Sequence, residues 1–370
     1  MLVWLGLCAV SAFLATLVMM PGAASPAPIF HIVFAWGLLP LIFGAIGHFV
    51  PVLTRGQAAH PVIHYLPLGV QVAGFLVPFG LMGVLPLWSL HLAATLDAAA
   101  ALLLFFWISR RLGDALGPPH PGARWYGAAL LCLFFALSLV PVWLMIPELR
   151  PASRLFHLHL NTLGFIGLAA LGTLPLLLPT ALRQPEPMAA TRLRVDLLPA
   201  FAGAVLIAAG AAAGHWLSIP GALLLAWVVG RDLVAWVRAY GRRVGADGTA
   251  PLLGATAGLL LLLLVGLAHG AGWMAARPAL AGYVALFLLP LVTGALAQLL
   301  PVWRFPGADS PARQAMQRSL AGGGRIRAGL FFLAGLVFLF DASFAGVPAA
   351  LALADFVLRI GRAFYNPRQS

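Results

Sequence analysis

Ten histidines are the side chains of this 370-residue chain best suited to chemistry. Imidazole is the commonest metal ligand, and an ionisable ring inside an apolar helix marks a functional position by default. Two of the ten stand two apart, in His157-Leu158-His159. On an α-helix such residues point roughly 200° from each other, so the rings cannot hold one ion between them but can serve two neighbouring centres. His31 opens the segment HIVFAWGLLPLIFGAIGHFVP, which aligns without gaps with HLNTLGFIGLAALGTLPLLLP opened by His159. Two imidazoles at one register on related helices are what a six-coordinate haem needs, one axial ligand from each side. His31 and His159 are therefore the candidate axial ligands, and His157 faces a different pocket. His91, His215 and His269 are its candidate partners there, in a copper site or a second haem site. For each of these three the competing reading is an interfacial histidine that hydrogen-bonds lipid headgroups or loops.

The elements that position these rings follow from composition. The chain is 62% hydrophobic and 9% charged, with mean hydropathy +0.98, so lipid must be the solvent of most of it. A bilayer core takes roughly 20 apolar residues per helix. Stretches of that size recur at 2–20, 31–52, 64–84, 89–109, 125–147, 157–180, 198–216, 219–240, 251–270, 281–302, 326–344 and 346–365. The expected fold class is all-α: a polytopic membrane protein of about twelve transmembrane helices, one transmembrane domain without a soluble one.

The net charge of +12 does not point to nucleic acid, because of where it lies. All 22 basic residues are Arg, and 18 of them follow even-numbered helices. Only Arg150, Arg154 and Arg277 sit in the opposite loops, and Arg231 lies within a span. By the positive-inside rule this is a multi-pass protein of the cytoplasmic membrane with both termini cytoplasmic. His31, His91, His157, His159, His215 and His269 then lie toward the extracytoplasmic side, and His48, His60, His64 and His120 toward the cytoplasm. Cys8 and Cys132 fall inside spans without ligand spacing, so no disulfide framework is expected. The small-residue run Gly22-Ala23-Ala24-Ser25 could end a secretory signal, but the first 20 residues have no basic start and read as a retained helix.

A third segment, AGYVALFLLPLVTGALAQLLP from Ala281 to Pro301, joins the alignment. All three share Gly44, Gly172 and Gly294, and Pro51, Pro179 and Pro301; two share Pro40 and Pro290. They recur every four helices, which predicts a pseudo-threefold repeat of four-helix units, about 1–110, 111–240 and 241–370.

These strings resemble the catalytic subunit (subunit I) of the haem-copper oxidase superfamily and, within that group, the NnrS family of haem- and copper-containing membrane proteins. His31, Pro40, Gly44, Gly47, Phe49, Val50 and Pro51 look like oxidase helix 2, whose histidine ligates the low-spin haem. The string from His157 to Pro179 is similar to the oxidase His-x-His helix. The resemblance implies haem b held by His31 and His159, with copper or a second haem near His157, in electron transfer or nitric oxide/oxygen-related metabolism. It departs at helix 10, which carries Ala281, and neither His-x-x-x-Tyr nor adjacent His-His occurs. No residue is therefore assigned a catalytic role. An electron-donor protein or partner subunit is the expected partner beside the bilayer. Two other classes fit the same residues: a transporter built on repeated helices, and a non-catalytic membrane subunit of a larger complex.

Other polar residues fall within spans. Asp97, Asp341, Asp355 and the Arg231-Asp232 pair are candidate buried charges, expected more often in structural pairs than in proton relay. Asn161 and Thr162 are expected to hydrogen-bond a ligand imidazole or a neighbouring helix.

Overall fold

The structure, a computed structural model, describes residues 1–20, 25–271, 273, 279–340 and 346–365. Asp341, Arg277 and the stretch 22–24 lie outside the described residues. Among those described, every regular element is helical. The order is α1 (Leu2–Met19), α2 (Pro26–Leu53), α3 (Pro61–Leu81), α4 (Trp88–Gly113), α5 (Gly122–Met145), α6 (Pro147–Ala181), α7 (Ala189–Ala213), α8 (His215–Gly245), α9 (Ala250–Gly270), α10 (Ala279–Arg304), α11 (Pro311–Leu339) and α12 (Gly346–Tyr365). Eleven of these, α1 to α11, are long and apolar enough to cross a membrane. The protein is an all-α, multi-pass membrane protein. The twelfth helix carries Asp355, Arg359 and Arg362 along one 20-residue element.

The polar break around 303–325 holds more structure than its composition suggests. Pro311–Ala321 is helical, capped by Ser310, whose Oγ accepts the Arg313 N–H at 3.2 Å, and it buries Ala315, Met316 and Leu320. Gly322 and Gly323 interrupt α11 before it resumes at Gly324.

Two compact units divide the chain. The first comprises Met1–Thr173 with Met188–Leu225, and the second Leu174–Pro187 with Ala226–Ser370. In the first, Trp125 is buried and its Nε1 donates to Leu193 O at 2.8 Å, tying α5 to α7. Phe43 of α2 meets Phe165 of α6 edge-on at 6.3 Å. In the second unit a charged knot closes the C-terminal helices. Arg327, 1% exposed, donates to Asp355 at 2.8 Å and to Leu320 O and Gly322 O, and Arg359 donates to the same carboxylate. Asp247 receives the Gly323 and Arg325 N–H groups at the start of the resumed α11.

The three segments that align in sequence share irregularities in space. Each winds as a π-helix just past the aligned first residue: Ile32–Leu38 in α2, Leu160–Gly167 in α6 and Val284–Leu288 in α10. Pro40 and Pro290 follow two of these segments, but α6 has Leu168 at that place, so proline does not produce the winding. Close packing is the better cause. A Cβ on Gly74 of α3 would collide with Ala35 O, one on Gly258 of α9 with Leu286 O, and one on Gly164 with Cys132 Cβ at 2.8 Å. In α2 and α10 the π segment is thus where a neighbouring helix approaches backbone to backbone, and in α6 it is where Gly164 seats the Cys132 side chain.

The shared glycines have one role throughout. Gly44 lies against Leu2 and Leu5 of α1, Gly172 against Trp125 of α5, and Gly294 against Leu252 of α9. In each case a Cβ would push the helix off the first turns of the one before it. The ends of α2 and α6 also match: Arg55 (φ 52°) and Arg183 (φ 51°) adopt the left-handed conformation. The next N–H returns to Pro51 O at 2.9 Å and to Pro179 O at 3.1 Å, which satisfies an open carbonyl of the last turn.

Candidate functional site

His31 of α2 and His157 and His159 of α6 are held in a common way. His31 Nδ1 meets Ala27 O at 2.7 Å, His159 Nδ1 meets Leu155 O at 2.8 Å, and His157 Nδ1 meets Ala136 O of α5 at 2.9 Å. A carbonyl oxygen only accepts, so Nδ1 carries the proton in all three, and Nε2 of each neutral ring keeps its lone pair. A protein that presents imidazole to a metal fixes tautomer and ring direction in this manner.

Local sequence explains these contacts. His31 and His159 each sit one turn beyond the carbonyl they use, immediately before a π segment. Ala136 lies on the turn of α5 that precedes Pro141, whose missing N–H leaves the Leu137 carbonyl without its helical donor. His157 reaches into that loosened turn, and Trp143 meets its ring edge-on at 5.2 Å. Asn161 and Thr162, expected to hydrogen-bond a ligand imidazole or a neighbouring helix, both bond carbonyls of their own helix. Asn161 Nδ2 donates to His157 O at 2.9 Å and Thr162 Oγ1 to Leu158 O at 2.8 Å. Both reach back one turn, at the change from α to π winding.

His31 lies within electrostatic reach of His157 and of Arg154. Both histidines are half-buried in the first unit. His159 is half-buried as well. His91 is half-buried in the first turn of α4, and His215 is exposed in a short 3-10 turn at the start of α8. His269 is exposed in the last turn of α9, in the second unit. Among the described residues, no three of His, Cys, Asp and Glu come together as a metal-ligand group.

Arg154 was not singled out in the sequence, although a signal was there: it and Arg150 break the arginine bias within three turns of His157. A cavity of about 380 Å³ lies on the same part of the first unit. Phe135 and Leu139 of α5, Ala152, Ser153 and Phe156 of α6, and Ala212 of α7 line it.

The histidines at the Arg-rich ends are held oppositely. His60 Nδ1 accepts the Val62 N–H at 3.3 Å and His120 Nδ1 accepts the Gly122 N–H at 3.2 Å. Both precede a proline and both begin a helix, α3 and α5, so each caps an open N–H. Burial holds His120 below the ordinary histidine range, in keeping with a neutral ring that accepts. His48 is half-buried within α2, and His64 is exposed in the first turn of α3.

Among the described residues, the candidate buried charges of the helices are partnered, with one exception. Asp355 is paired with Arg327 and Arg359, and Arg192, Asp196, Arg231 and Asp232 all have partners. Asp97 is 3% exposed and its Oδ1 makes no hydrogen bond. No family model matches the chain, and no curated protein matches it.

Proposed function

We propose that the chain is a b-type haem protein of the cytoplasmic membrane, with a fold related to haem-copper oxidase subunit I or NnrS. The observation that carries this reading is the shared anchoring of His31, His157 and His159, each with Nδ1 tied to a carbonyl, the tautomer that puts the lone pair of the neutral ring on Nε2. His31 would supply one ligand to the iron. The second would come from α6, where His159 holds the matching register and His157 lies within electrostatic reach of His31. The α6 histidine that does not bind this haem would serve copper or a second haem. Arg150 and Arg154 stand where an anionic cofactor would bring carboxylates, and they account for two of the arginines that break the charge bias. When bound, haem supplies reversible one-electron chemistry at a potential set by its ligands. The residues here orient the rings, fix their tautomers and keep bulk water from them.

In this reading the Arg-rich ends and both termini face the cytoplasm, and electrons reach the opposite side from a donor protein or partner subunit. The test is the absorption spectrum of protein purified from haem-sufficient cells. A Soret band with a b-type reduced spectrum is expected, lost in His31→Ala and restored in part by added imidazole. A colourless protein would sink the cofactor assignment, and full haem in His31→Ala would sink the ligand assignment. Full haem in His159→Ala with loss in His157→Ala would move the second ligand to His157.

The π segments in α2, α6 and α10 favour a second reading, transport through repeated discontinuous helices. That reading predicts a protein without haem whose uptake of a solute depends on the same histidines.

A further inference from the structure

A carboxylate in the apolar interior of a helix bundle is costly unless a cation or several donors meet it. Asp97 has neither among the described residues. It is 3% exposed, its Oδ1 is unbonded, and no ion pair reaches it. It lies nine residues into α4, about 13 Å from the Trp88 end and about 24 Å from the other at helical rise, well inside the membrane. The helices packed on α4 are α3, α5 and, more lightly, α2. Their titratable side chains are His64 and Tyr65 on α3, Arg124, Tyr126 and Cys132 on α5, and His31 and His48 on α2. None bonds Asp97, and Tyr126 spends its hydroxyl on Thr173 at 2.9 Å.

The neighbourhood is polar without being paired. Ser89, Ala93 and Asp97 follow one another at successive turns on the buried face of α4. Ser89 Oγ is buried without a partner. Gln71, at the midpoint of α3 and so at about the depth of Asp97, uses Oε1 to accept from Trp4 Nε1 at 3.3 Å, while its Nε2 has no acceptor. In the first unit, the buried side-chain N and O atoms left without partners among the described residues are these three: Gln71 Nε2, Ser89 Oγ and Asp97 Oδ1. Such groups in one pair of adjacent helices are what a proton path uses, with small side chains such as Ala93 leaving room for water between them. They are too few for a metal cation, which needs several oxygens around it.

We propose that Asp97 is an intramembrane proton-binding site, whose carboxyl is neutral at rest and exchanges its proton with water. A proton from hydronium bonds to a carboxylate oxygen and leaves water behind; release is the reverse, with no redox partner. The site is independent of haem, so a colourless preparation serves equally for the test. Infrared spectra of the purified protein at neutral pH, in light and heavy water, are compared with those of Asp97→Asn. A protonated-carboxyl band that is absent from the variant and shifts in heavy water is the expected result. Absence of the band overturns the proposal, and a band that does not shift overturns the exchange. Asp97→Asn matches the neutral acid in shape and should fold normally. If it does not fold, Asp97→Glu serves instead, and must move the band.

Discussion

The histidines of α2 and α6 and those that begin α3 and α5 are one residue type put to opposite uses. At His31 of α2 and at His157 and His159 of α6, Nδ1 donates to a carbonyl, so the lone pair of the neutral ring is on Nε2. At the starts of α3 and α5, Nδ1 accepts a backbone N–H, so the proton must sit on Nε2. The first arrangement prepares a ring to bind something else, and the second uses the ring up in closing a helix. What separates them is position: His60 and His120 stand just ahead of a helix, where the first N–H groups are open, whereas His31 and His159 reach back to a carbonyl one turn behind and His157 to a carbonyl of α5.

This contrast can be broken by substitution. The largest effect is expected from His31→Ala, which should lose at least nine-tenths of bound haem (about a tenfold loss, or 1.4 kcal/mol or more) while His60→Ala and His120→Ala retain it. Equal haem loss in all three would remove the distinction. Next comes Gly74→Val, which forces a side chain onto the Ala35 carbonyl inside the π segment of α2. It should destabilise the protein by about 1–3 kcal/mol and weaken haem retention by displacing His31, measured by thermal unfolding in detergent with the Soret band as a second probe. Smaller again are His60→Ala and His120→Ala, each expected to cost about 0.5–1 kcal/mol as a lost helix cap, with Asn in place of His recovering most of it. An unchanged melting temperature in both Ala variants would show that the caps contribute nothing.

The smallest effect is one of pH. His120 has its affinity for protons lowered by burial, so its contribution is complete where both folded and unfolded rings are neutral. As pH falls through the ordinary histidine range, the unfolded chain takes up the proton first and stability declines. The melting temperature should therefore drop more steeply below pH 6 in the wild type than in His120→Asn, and equal slopes would reject this account.

Much of the fold was legible because a bilayer leaves few alternatives. Apolar runs of helical length, the arginine alternation and the Gly and Pro register of α2, α6 and α10 were all visible in the chain. The break at 303–325 was less so, because Pro311–Ala321 is too polar for a span and shows as a helix only through its Ser310 cap and three buried residues. Asp97 and Asp355 looked alike in sequence. One proved to be paired with two arginines brought from Arg327 and Arg359, and the other is unpaired. Arg359 stands one turn from Asp355, but Arg327 comes from another helix, which no local pattern reports.

By itself, then, the sequence determined the solvent of the protein, the helices that meet it, and His31, His157 and His159 as the rings to watch. Hydrophobicity, helix length and register are properties of neighbouring residues, and they can be read in order along the chain. Only the tertiary structure decided which nitrogen of each ring carries the proton, that α2, α6 and α10 share a π segment, and that Asp97 has no partner among the described residues. Those features arise where one helix meets another, or where its own winding changes under that contact. The three histidines with which the reading began are thereby sharpened from a matter of spacing to one of tautomer, set by the carbonyls of Ala27, Leu155 and Ala136.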